Sequence, residues 1–228
     1  MQITSDFSRR RLLQGAALLP LLGLANCADS LRYRLTDVIR RLLNLSSQRA
    51  FARLLAPDGF LNDELAQIHL PSAFGGSGGG NILRALILTE PVRYRLFKQL
   101  NRAAGKAADR AAPVIADAIL DMPIIDAEAI VRGGPMAATA LLERQVGDGL
   151  LFVLVPGADE GLRLFDDGAL NEALRVATGI NFSGLRDDLA HQTAASIFRA
   201  MGREESAIRA NPRDTNDPVL MAVFGVMK

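Results

Sequence analysis

Two histidines, one cysteine and a few charged pairs are what this 228-residue sequence offers for direct chemistry. His191 follows Asp187 by four residues, so on a helix the two share a face. A metal site needs about three or four ligands, and this spacing suits a surface ion pair or cap better. Asp117 and Asp121 repeat the spacing and could share a divalent cation or simply stand in water. His69 is the other histidine. The chain has no HExxH and no GxSxG, and no cysteine nucleophile falls in the part expected to fold. No catalytic residue, metal or cofactor is therefore expected, and an enzyme is the less favoured reading.

The most distinctive polar feature is a ridge of Lys98, Arg102, Lys106 and Arg110, each four residues beyond the last. Like charges at this spacing disfavour a helix by about 0.2–0.5 kcal/mol per pair, so acidic groups should face them. Glu205 is one candidate. It falls in an otherwise apolar row of Ala190, Ala194, Ile197, Met201 and Ile208, and a carboxylate on a buried face needs a partner. The ridge then reads as interhelical ion pairing, or as an anion or acidic-partner site lined by Arg102 and Lys106. Asn101 on the apolar face of the same helix, and Thr139 on another Ala-rich helix, are expected to bond between helices.

These residues need helices to position them. Apolar content is 49% and charged content 22%, ordinary values for a globular chain. The length suits one domain with a real core. Ser30 is placed to cap a helix carrying Leu31, Leu35, Val38 and Leu42. Ser46 and Ser47 are expected to interrupt it before a second piece over residues 48–56, which Pro57, Asp58 and Gly59 stop. Phe60, Leu61 and Asn62 are expected to be irregular or extended, as are Ile68 to Pro71. Residues 75–80, all glycine but one, read as a flexible loop. No Gly-Lys-Ser/Thr follows and no GxGxxG register fits, so a phosphate cradle is excluded.

Helices are expected to dominate from residue 81 onward. Pro91 suits a first turn. A strong helix then covers 94–111, with Phe97, Asn101, Ala104, Ala108, Ala111 and Ile115 on one face and a kink or restart at Pro113. Asp126 is placed to cap a short helix ended by Gly133 and Gly134. Another helix is expected from Pro135 to about Val146. Residues 150–155 could form a buried strand, but with no partner strand in view a buried helix from an Asp148 cap is the favoured reading. Further helices are expected over 168–178 and 184–210. A short one follows the Asp217-Pro218 cap. The fold class is thus an all-α, single-domain multi-helix bundle.

The first 27 residues read as a cleavable targeting segment. Ser8, Arg9, Arg10 and Arg11 precede an apolar run through Ala25, the layout of an export signal too short to span a bilayer comfortably. Arg9-Arg10 followed by Leu12-Leu13 resembles a twin-arginine signal, the alternative being a general secretory signal rich in arginine. Leu24-Ala25-Asn26-Cys27 resembles a lipobox with Cys27, the lone cysteine, as its acceptor; the alternative is ordinary signal cleavage nearby that leaves Cys27 removed or free. Asn26 departs from the Gly, Ala or Ser usual before the cysteine. A 30–56 helical segment and a 57–228 body would follow. The formal net charge of +1 becomes −1 once Arg9, Arg10, Arg11 and Asp6 leave. That balance argues against nucleic-acid binding, which wants a basic surface.

A set of short pieces resembles, in order and spacing, the uncharacterised bacterial "domain of unknown function 4197" family. The pieces include Phe60-Leu61-Asn62, Ile68 with Leu70-Pro71, Asn101-Arg102-Ala103-Ala104, Ala112-Pro113, Asp126-Ala127, Ala138-Thr139, Glu204-Glu205, Asn211-Pro212 and Val223-Phe224-Gly225. Together they cover roughly residues 57–225. The resemblance implies an exported, largely helical envelope protein with no assigned activity. Gly105 departs from the acidic residue usual there, and Ala140-Leu141-Leu142 stand where aromatics are common.

Two functional readings follow. One is a periplasmic or membrane-anchored envelope protein acting as an interaction scaffold, or as a carrier of an apolar ligand. Its partners would be the membrane through Cys27 and another envelope protein or small ligand. The other is an enzyme or sensor that takes a small anionic ligand on the basic ridge, with Arg102, Lys106 and an acid converging on an open cleft.

Overall fold

The computed structural model describes residues 20–70, 89–163 and 182–225, with the side chains of the first helix from Arg34 onward. Among the described residues there are seven α-helices, one 3-10 helix and no strand. The long elements are α1 (Pro20–Leu54), α3 (Glu90–Asp121), α5 (Ala137–Gly161) and α6 (Phe182–Ala210). The short ones are α2 (Gly59–Asn62), α4 (Ala127–Val131), the 3-10 helix (Pro212–Thr215) and α7 (Pro218–Phe224). The long helices form a ring in which α3 packs on α5, α5 on α6, α6 on α1 and α1 on α3. The all-α bundle read from the sequence is the fold observed. The glycine-rich stretch 75–80, the 168–178 helix, Arg9 and Arg10 lie outside the described residues. No described helix is long and apolar enough to cross a membrane.

The core forms where helical spacing stacks apolar residues. Ile39, Leu42 and Leu43 of α1 meet Ala104, Ala108, Ala111 and Ile115 of α3, with Leu142, Leu150 and Leu154 of α5 and Ile197 and Met201 of α6. The helices α3 and α5 cross closely. A Cβ placed on Gly161 would lie 2.6 Å from Ala103 Cα, and one on Gly157 would lie 2.7 Å from Ala107 Cα. Small residues on both helices thus let two backbones touch, and a larger side chain at either glycine would push them apart.

Several boundaries differ from those read in the sequence. Ser46 and Ser47 do not interrupt α1. The Ser46 hydroxyl donates to the Leu42 carbonyl at 2.8 Å, so a buried polar side chain is satisfied inside the helix. Nor does Ser30 begin a helix, since α1 already runs from Pro20. Phe60 to Asn62 form the helical turn α2, which buries Phe60. Pro135 lies before the observed start of α5. That helix passes through Val146 and Asp148 without a break, because Leu142, Leu150 and Leu154 lie on one buried face. Pro113 and Pro156 both lie on the exposed side of continuous helices, where water can bond the carbonyl that proline leaves free.

Two of the expected caps are present. Asp126 accepts from the Ala129 N–H. Asp217 accepts from the N–H groups of Val219 and Leu220. Pro91 sits in the first turn of α3.

Candidate functional site

The counter-charges of the basic ridge come from the neighbouring turn and from α5. Asp58 lies in the turn that ends α1, in a left-handed conformation (φ 54°, ψ 28°) uncommon for a non-glycine residue. It receives Arg102 Nε at 3.1 Å and Lys98 Nζ at 3.7 Å. The Arg102 hydrogen bond, with the Lys98 charge behind it, holds the Asp58 carboxyl below its usual range. Glu160, near the end of α5, takes Arg110. Lys106 finds no hydrogen bond or ion pair among the described residues, and neither does Arg163 just beyond α5.

Glu205 is not the partner of the ridge. It is fully buried, and its carboxylate accepts from the Ala138 N–H at 3.0 Å, the Thr139 N–H at 2.7 Å and Arg209 Nε at 2.8 Å. The same Arg209 donates to the carbonyls of Val131 and Ile130. It also stacks on the Phe224 ring, 4.8 Å from the centroid. One charge pair therefore serves the open N–H groups at the start of α5 and the open carbonyls at the end of α4, and it rests on α7. Helix ends leave such groups unsatisfied, and the ends carry the matching partial charges. The sequence placed Glu205 on a buried face correctly but attached it to the wrong helix.

Asn101 and Thr139 divide. Asn101 Oδ1 accepts from the Ile68 N–H at 2.9 Å, while its Nδ2 donates to the carbonyls of Ile68 and Phe97 at 3.1 and 2.8 Å. The side chain thus copies a backbone pairing and pins the irregular 63–70 segment to α3, rather than joining two helices. Thr139 contributes its backbone N–H to Glu205, and its buried hydroxyl has no hydrogen-bond partner.

A second charged cluster went unread in the sequence. Arg203 on α6 holds Asp63 with two bonds, at 2.8 and 2.6 Å. Beside it the buried Glu204 has Arg53 Nη2 at 3.3 Å and Arg203 Nε at 3.8 Å. The Arg203 hydrogen bond lowers the Asp63 carboxyl from its usual range, and Asp63 raises Arg203 in turn. The adjacent acids Glu204 and Glu205, the second in an otherwise apolar row of α6, were the available signal, with one carboxylate for each cluster.

Among the described residues, three clefts border these groups. The largest, about 630 Å³, lies over Arg53, Asn62, Asp63 and Arg203. The other two, about 390 and 450 Å³, lie on either side of Arg102 and Lys106. His69 is exposed and bonds Gln192 only through its backbone. His191 is exposed, and Asp187 is bound by Arg186 instead of by His191. Asp117 and Asp121 are exposed on α3. Among the described residues no three His, Cys, Asp or Glu side chains gather as metal ligands would.

A family model described as protein of unknown function (DUF4197) matches residues 32–225, and the chain belongs to that family. The match begins earlier than the residues that carried the resemblance, so it includes the part of α1 that enters the core. No curated protein and no solved structure gives a match.

Proposed function

We propose that this is an exported envelope protein, held on a membrane by lipid at Cys27, whose helical body is an interaction module. The observation that carries the reading is the position of the lone cysteine. Cys27 follows a basic and then apolar leader, and it lies on the same helix that enters the core at Val38. Eleven helical residues span about 16 Å at 1.5 Å each. Lipid on Cys27 would thus hold the bundle close to the bilayer on a stiff lead. Each buried methylene of the acyl chains adds about 0.8 kcal/mol of membrane affinity.

The interior supports a binding body over a reaction centre. Glu205, Asn101 and Ser46 are buried polar groups spent on holding backbone in place. Large apolar side chains stand outside, Phe152 at 85% exposure and Ile125 at 77%, where partners of a scaffold would meet them.

The test is membrane fractionation of cells expressing Cys27→Ser. The reading expects the variant to leave the membrane fraction for the soluble periplasm, and a variant that stays membrane-bound sinks it. Arg9→Lys with Arg10→Lys tests the route separately. Twin-arginine export expects that pair to block export, and normal export would rule the route out.

A further inference from the structure

We infer that the cleft between α3 and the end of α5 binds a small multivalent oxyanion, a phosphate or polycarboxylate compound, through Lys106, Arg163 and Arg102. The inference stands apart from membrane anchoring and rests on the charge left over in one cavity. The cleft holds about 450 Å³ and is walled by Gln99, Arg102 and Lys106 of α3 and by Glu160, Gly161 and Arg163. That volume lies in the range of small-ligand sites, about 300–1,000 Å³.

The charges inside do not cancel. Glu160, the acid of the wall, is bound to Arg110. Arg102 turns its Nε to Asp58, with about half of its side chain still exposed. Lys106 and Arg163 remain, from two different parts of the chain, with no acidic group among the described residues bonded to either. A cation just past a helix end is favourable in itself, which accounts for Arg163 alone. It gives no reason for Lys106, which lies mid-helix in a row of like charges.

The fold explains why two cations from distant segments meet here. Gly161 lets α5 end against the Ala103 backbone, one turn before Lys106, so Arg163 emerges beside the ridge. A guanidinium presents paired donors that match carboxylate and phosphate oxygens, and an ammonium adds a point charge. Two uncommitted cations in one concavity favour a ligand carrying at least two negative charges.

The experiment is calorimetric titration of the purified protein with pyrophosphate and, separately, with citrate, at fixed ionic strength. Saturable binding of either probe at one site per chain is expected. Lys106→Ala and Arg163→Ala should each weaken it by about tenfold, the loss of a charge-assisted hydrogen bond. Arg132→Ala, a surface change paired with Glu128 away from the cleft, should leave it unchanged. Both cleft side chains are exposed and unbonded among the described residues, so the variants should unfold at the parental temperature, which a thermal melt checks. Binding of pyrophosphate alone would assign a phosphate ligand, and binding of citrate alone a polycarboxylate. No saturable binding of either probe overturns the inference. Binding that Lys106→Ala and Arg163→Ala leave intact overturns it equally.

Discussion

Glu205 and Arg209, one turn apart on α6, form an ion pair with almost no contact with water, at 0% and 10% side-chain exposure. The pair acts as a joint between four helices. Its acid serves the first N–H groups of α5, its base serves the last carbonyls of α4, and the base lies on Phe224 of α7.

Removing one partner of a buried pair leaves the other charge stranded, at a cost of about 3–5 kcal/mol. Glu205→Ala is expected to destabilise the protein by that amount in urea denaturation. The double change Glu205→Ala with Arg209→Ala should cost clearly less than the sum of the two single changes, because the second removes the stranded charge. Additive costs would mean the two residues act separately.

The glycines of the two facing helices should respond with opposite signs. Gly161→Ala would force a Cβ to within 2.6 Å of Ala103 Cα, and overpacking of this kind costs about 1–3 kcal/mol. A Cβ on Gly105, mid-helix in α3, would meet no atom within 4 Å. Gly105→Ala should therefore stabilise by about 1 kcal/mol through helix propensity alone. Denaturation midpoints of the two variants, one below and one above the parent, are the check.

Acid should act through Asp63 and Asp58. Both carboxyls are held below their ordinary range in the fold, Asp63 by the Arg203 hydrogen bond and Asp58 by that of Arg102. A depressed carboxyl stabilises the fold above the unfolded value, about 3.9 for Asp. That contribution is lost as pH falls below it through the folded value. Stability is expected to drop below about pH 4. The difference between parent and Asp63→Asn, measured by denaturation at successive pH values, should shrink over the same interval. A difference that stays constant down to acid pH would contradict this.

The parts legible in the sequence were those set by neighbours in the chain. Asp126 and Asp217 announced their caps, and the apolar row around Glu205 announced its burial. What lay hidden depended on partners far along the chain. Ser46 looked like a break because its bond to the Leu42 carbonyl suits a buried helix as well as a turn. Asp148 looked like a cap, yet Leu142, Leu150 and Leu154 carry α5 straight through it. Asn101 was visible as a polar residue on an apolar face, but nothing near it in sequence points to Ile68. Arg163 gave no sign of itself, since only the close approach of Gly161 to Ala103 brings it beside Lys106.

The anchored envelope protein proposed above is tested most directly by the intact mass of the protein purified from its native membranes. The account expects a chain that begins at Cys27 and carries diacylglycerol on its sulfur. A chain that begins elsewhere, or a Cys27 without lipid, would contradict it.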